Sequence, residues 1–178
     1  MSNQTQSIVL GGGCFWCLDA AYRLIKGVTH VTSGYAGGHV PNPTIEEVYS
    51  QTTGHAEVVK IEFNPKAISL DDILDIFWTQ HDPTSLNRQM YDVGPEYRSI
   101  ILYSNSAQKE VIIRSKDKAQ KLWDKKIVTE VVPLDTFYPA DDDQQDFYKK
   151  NPEKSYCQMI INPKLAKLRA KHAKLLNL

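Results

Sequence analysis

Hydrophobic residues fall into two rhythms along this chain, one of two residues and one of three to four. Residues 7–10 form a short apolar run that leads into Gly11, Gly12 and Gly13, which reads as a buried strand ending in a glycine turn. From 14 to 25, Phe15, Leu18, Ala21, Tyr22 and Ile25 recur at three and four, predicting a helix that Gly27 closes. "VTHVTSGY" alternates as a strand before Gly37, Gly38 and the loop "HVPNPT". "EVVKIEFN" (57–64) is the clearest strand, with Ile61, Phe63 and one of Val58 and Val59 on a common face. "SLDDILDIFWTQH" (69–81) opens on the capping residue Ser69 and sets Leu70, Ile73, Leu74, Phe77 and Trp78 on one helical side.

A polar stretch without periodicity occupies 82–96, and an irregular segment of that length in a compact domain points to function. It precedes the strand "RSIILY", a charged helix from 106 to about 123, and the strand "IVTEVVPL". The tail "KLAKLRAKHAKLL" is a basic amphipathic helix with Leu165, Leu168, His172 and Leu175 or Leu176 on one side. It is expected to pack on the body with its lysines in water. The alternation of strands and helices predicts an α+β or α/β two-layer fold. At 178 residues it is read as a single catalytic domain, 1–178, with 163–177 as the packed C-terminal helix.

Composition adds mainly exclusions. Lys plus Arg equals Asp plus Glu at 21 each, so charge recommends neither nucleic acid nor an anionic membrane as partner. The three apolar residues 8–10 are too few for a signal-peptide core or a membrane span, and a soluble cytoplasmic monomer is expected. Cys14, Cys17 and Cys157 are too few for a secreted disulfide scaffold and would be thiols in a reducing compartment. No second C-x-x-C and no suitable pair among His30, His39, His55, His81 and His172 accompanies them, so no metal is expected.

Cys14 follows three glycines at the first turn of a helix. Unpaired N–H groups and the helix dipole favour thiolate there, which makes Cys14 a candidate nucleophile; a small buried apolar residue is the alternative. Cys17, three positions on, lies on the same helical side, roughly 5 to 6 Å away between Cβ atoms, near enough to form a disulfide. Phe15 and Trp16 point about 100° apart on a helix. One of them is expected to join the core and the other to wall the thiol site, which suits a reactive atom carrying a small apolar group.

Taken in order, "GGGCFWC", "SGYAGG", "PNPT", "TGHAE", "HDPT", "RQMYDVGPEYRS" and "NPEKSYC" resemble the peptide methionine sulfoxide reductases of the A type. The resemblance implies a ferredoxin-like split β-α-β core with long coil segments, and reduction of methionine S-sulfoxide, free or in proteins, to methionine. It implies Cys14 as nucleophile, Phe15 and Trp16 as the pocket for the sulfoxide methyl, Glu57 as proton donor, and Asp92 and Tyr97 as polar pocket residues. Cys157 resembles the resolving cysteine and is expected to act first, from a loop-like stretch that swings in, with Cys17 as a second relay. Recycling would use thioredoxin as external dithiol, with no tightly bound cofactor. The chemistry agrees: a sulfoxide oxygen must be protonated to leave, so one carboxylic acid must stay neutral near pH 7.

The chain also departs from the family pattern. Ile45 stands after "PNPT" where the pattern has a tyrosine that donates to the sulfoxide oxygen, and Tyr91 is a candidate to compensate. Cys17 stands where many members have glycine. Two rival readings remain: a thioredoxin-like disulfide oxidoreductase, which would need neither Glu57 nor a third cysteine, and a module that binds oxidised methionine without turnover.

Overall fold

In a computed structural model of the chain, residues 4–177 are described. In chain order the elements are β1 (Gln6–Gly11), α1 (Phe15–Tyr22), β2 (Val28–Ala36), α2 (Ile45–Tyr49), β3 (Ala56–Phe63), α3 (Leu70–Gln80), β4 (Arg88–Gln89), β5 (Asp92–Val93), β6 (Ile100–Tyr103), α4 (Ser106–Gln120), β7 (Glu130–Pro133), β8 (Tyr138–Pro139), α5 (Phe147–Lys150) and α6 (Asn162–His172).

Six strands form one sheet in the order β7-β6-β1-β3-β2-β8. Its inner four, β6-β1-β3-β2, are antiparallel throughout and are joined by α1, a long β2–β3 connection and α3. That is the split β-α-β, ferredoxin-like arrangement expected from the resemblance. β7 extends one edge in parallel with β6, and β8 the other, antiparallel to β2.

Both faces of the sheet are covered, which explains why β1 reads as a continuous apolar run. Ile8, Leu10, Val59, Ile61, Phe63 and Ile101 face the layer that holds α1, α3, α4 and α6. Val9, Val58, Ile100 and Leu102 face the other way, beneath Val132 of β7 and Leu134 and Phe137 of the coil that follows it.

α3 is capped as its sequence predicts, with Ser69 Oγ accepting from the Asp72 N–H at 3.1 Å. α6 buries Leu165 and Leu168, and its end is tied down where Thr79 Oγ1 meets His172 Nε2 at 3.0 Å. Five elements were not read from the periodicity: α2, just after the loop "HVPNPT", β4 and β5 inside 82–96, β8 and α5. One expectation is corrected. Cys157 is not in a loop but opens a π-helical turn, Cys157–Ile161, that runs directly into α6. No helix among the described residues is long and apolar enough to cross a membrane.

Candidate active site

The turn from β1 into α1 needs its glycines for close approach. A methyl group at Gly11 would press on the Glu57 carbonyl and on Ile100 Cγ2, and Gly13 adopts the left-handed φ of +89°. The Gly13 N–H donates to the Tyr97 carbonyl at 3.2 Å, which draws the segment carrying Tyr97 over the turn. Cys14 then becomes the N-cap of α1.

Cys14 is only 7% exposed. Burial, above all, pushes its thiol well up from the usual range, and the nearby Glu57 and Cys17 add to this; the Trp16 N–H works in the opposite direction. The expectation of a resting thiolate is therefore corrected. Loss of hydration outweighs the helix end at this position, and the sulfur waits as a thiol.

Glu57 comes from the second position of β3, where the register sets it opposite Tyr35 of β2. It is buried, and its Oε1 accepts the Phe15 N–H at 3.3 Å. Its Oε2 has no hydrogen-bond partner among the described residues. Burial is the main force lifting its pKa to about 8, with Asp92 and Glu96 contributing; the Phe15 N–H and the adjacent Cys14 thiol restrain the rise. A neutral carboxylic acid thus stands beside the sulfur at pH 7, with one oxygen free.

The aromatic pair divides as its spacing requires. Phe15 is wholly buried against Tyr35, with ring centroids 5.7 Å apart. Trp16 is half-buried and held on three sides. It stacks on Phe147 at 3.6 Å and 2°, meets the edge of Tyr156 at 5.6 Å, and donates its Nε1–H to Gln144 Oε1 at 3.0 Å. Trp16 is therefore the wall at the rim, in a fixed plane.

Asp92 opens β5 and accepts the Tyr156 hydroxyl proton at 2.8 Å. Tyr97 ends the short turn Pro95–Tyr97, and burial followed by Glu57 keeps its hydroxyl protonated far above the usual range. Cys17 Sγ lies 3.7 Å from Tyr156 Oη; since that hydroxyl already donates to Asp92, the thiol is the donor. Cys157 is wholly buried. Cys17 is tied to Cys14 by its N–H, which donates to the Cys14 carbonyl at 3.2 Å, while its sulfur touches Tyr156, the chain neighbour of Cys157.

Every sequence-predicted site residue except Cys157 thus gathers around one niche, and Cys157 is sealed one residue beyond Tyr156. Tyr91 does not join them: it is 85% exposed on the β4–β5 hairpin, so its suggested compensating role is set aside. Sequence reasoning missed Tyr35, packed on Phe15, and Tyr156, which bonds Asp92 and touches Cys17 and Trp16. The available signal was the adjacency of Tyr156 to Cys157. Among the described residues, no group of three or more His, Cys, Asp or Glu is arranged to hold a metal ion.

Comparison with known proteins matches this geometry to a family. A model described as peptide methionine sulfoxide reductase covers residues 6–176. The peptide methionine sulfoxide reductase MsrA of Pseudarthrobacter chlorophenolicus is 53% identical, over 97% of this chain and 99% of the relative. Among solved structures, reduced Mxr1 of Saccharomyces cerevisiae superposes with a TM-score of 0.81 at 32% identity, covering 86% of this chain and 90% of that one. Mxr1 in complex with Trx2 superposes with a TM-score of 0.57 at 27% identity, covering 83% and 87%.

Proposed function

We propose, from the premise that this chain belongs to the peptide methionine sulfoxide reductase family, a division of the catalytic work among its residues. The reaction is the thiol-dependent reduction of methionine S-sulfoxide to methionine, the A-type activity, with thioredoxin as the reductant. The observation that carries our assignment is the buried Glu57 carboxyl beside the Cys14 sulfur, protonated at neutral pH and with Oε2 unengaged.

The substrate methyl sits against Trp16, with its sulfoxide sulfur at Cys14 and its oxygen toward Glu57 and Tyr97; Phe15, expected to share this wall, is sealed in the core and does not line it. Glu57 gives its proton to the oxygen as the Cys14 sulfur attacks, and the thiol proton passes to Glu57. The protonated oxygen then moves from the substrate sulfur to the Cys14 sulfur: the substrate sulfur–oxygen bond and the transient sulfur–sulfur bond break, a sulfur–oxygen bond forms on Cys14, and methionine leaves with Cys14 as a sulfenic acid. The sulfoxide is reduced by two electrons and Cys14 oxidised by two.

A neighbouring thiol then condenses with the sulfenic acid, releasing water. Cys17, within the same helical turn as Cys14 and with its sulfur against Tyr156, is favoured as this first partner over the sealed Cys157, which is next in line to take over the Cys17 bond and free Cys14. This reverses the order expected from the sequence. A dithiol of thioredoxin closes the cycle, so no tightly bound cofactor is required. Balanced charge and thiol cysteines fit a monomer working in the cytoplasm on free or protein-bound substrate. Disulfide exchange alone would leave the buried Glu57 without a task.

The test is turnover of each sulfoxide epimer with dithiothreitol. One epimer is expected to be reduced by the parent, neither by Cys14→Ser, and the same one only very slowly by Glu57→Gln. Full activity in Glu57→Gln would refute the proton-donor assignment.

A further inference from the structure

The indole of Trp16 is held by two residues of one short stretch: Gln144 accepts its N–H, and Phe147 stacks on its face. That stretch has little internal structure to fix it. It consists of a single 3-10 turn, Asp142–Gln144, and the four-residue α5, with Asp146 between them at the left-handed φ of +49°. One turn of helix is too short to hold its own shape, so the positions of Gln144 and Phe147 depend on bonds to the body of the protein.

Gln145 supplies that attachment. β8 pairs with β2 at Gly34 and Tyr35, and the Ala140 N–H adds one bond to the Ser33 carbonyl at 2.9 Å before the chain turns away. Beyond this point a side chain continues the ladder. Gln145 Oε1 accepts the Ser33 N–H at 2.8 Å, while its Nε2 donates to the Ser33 carbonyl at 2.8 Å and to the Ala140 carbonyl at 3.0 Å. Both amide hydrogens and the amide oxygen are thereby engaged, and the wholly buried Ser33 has its backbone groups satisfied. Asp146, next along, adds a longer ion pair to Arg23 at 3.5 Å. Gln145 thus grips the sheet from between the two residues that hold the indole, one after Gln144 and two before Phe147.

We propose that Gln145 is a positioning residue for substrate binding: its amide holds the 144–147 stretch on β2, and through Gln144 and Phe147 fixes the plane of Trp16 against which the sulfoxide methyl packs. A radial gap of about 0.5 Å already forfeits about a quarter of a dispersion contact, so a wall free to tilt holds a methyl group less well. The reacting groups do not share this anchor, since Glu57 takes its orienting bond from the Phe15 N–H. Loss of the Gln145 amide therefore weakens the hold on substrate and leaves the chemistry of the bound complex in place.

The proposal rests on the reading of Trp16 as the methyl wall of a site built on Cys14 and Glu57, and a double-mutant cycle separates the two. Steady-state reduction of N-acetylmethionine S-sulfoxide with dithiothreitol is measured for the parent, Gln145→Leu, Trp16→Ala, the variant carrying both changes, and Cys14→Ser. Gln145→Leu is expected to raise KM about threefold with kcat within about twofold of the parent, and to add nothing to the rise in KM of Trp16→Ala. Should Gln145→Leu not fold, Gln145→Glu takes its place in the cycle; it keeps the length of the side chain and the acceptor for the Ser33 N–H but turns a second oxygen toward two carbonyls. An unchanged KM in the folded variant would overturn the role of Gln145 alone. The same fold-rise in both backgrounds would do so too, by showing an effect that does not pass through the indole. An unchanged KM in Trp16→Ala would overturn the wall beneath the proposal, and turnover by Cys14→Ser the assignment of the nucleophile.

Discussion

The Phe15 N–H donates to Glu57 Oε1 at 3.3 Å, so the first residue of α1 holds the acid of β3 in place while Oε2 of the same carboxyl has no partner among the described residues. One oxygen orients and the other is left for chemistry. With a pKa of about 8, Glu57 is a competent acid below that pH, and single-turnover rates are expected to fall as pH rises through about 8. Glu57→Gln should lose this limb along with most of the rate. Stability carries the same signature. The folded pKa lies above the unfolded value of about 4.5, so folding binds a proton between the two, and stability declines as pH rises from the lower to the higher. Melting temperatures of Glu57→Gln should fall less over that window.

Disulfide order can be read by mass spectrometry after one turnover without reductant. The parent should hold Cys17 joined to Cys157, with Cys14 returned to the thiol. Cys157→Ser should stop at Cys14 joined to Cys17. A Cys14–Cys157 bond in the parent, with Cys17 free, would contradict the relay.

Trp16 owes its plane to Phe147, stacked at 3.6 Å, and to Gln144. Trp16→Ala should raise KM about tenfold, from the loss of an aromatic face against the methyl group. Phe147→Leu, which leaves the indole in place but frees it to tilt, should raise KM less. Steady-state kinetics on the S epimer check both.

Arg23 guards a different buried acid. Asp19 on α1 is wholly buried, with Oδ1 2.8 Å from Arg23 Nε and Oδ2 unpartnered among the described residues. Burial lifts its pKa to about 6 although Arg23 opposes the rise. Arg23→Ala should destabilise the fold by about 2 kcal/mol at pH 7.5, where Asp19 is ionised, and by less at pH 5. Adding Asp19→Asn should recover much of the loss in thermal melts.

Local signals in the chain carried far, and they failed where distant packing decides. The glycine run, the 57–63 strand and the 69–81 helix show their roles because periodicity and steric freedom act over a few residues. The acidity of Cys14 did not, since the helix end is a local feature whereas the burial that outweighs it comes from many segments. α2 escaped notice because five residues are too few to show a period. The site of Cys157 was misjudged because "NPEKSYC" has the composition of a loop, yet its last residue starts a helix whose apolar anchors, Leu165 and Leu168, come later.

That placement ties repair to motion. On the proposed relay, a sulfur sealed inside a helical turn meets an incoming protein dithiol only after the turn loosens, so each catalytic round would include a brief local opening of the C-terminal region. Substitutions that rigidify 157–172 would then make a hardier enzyme that recycles more slowly.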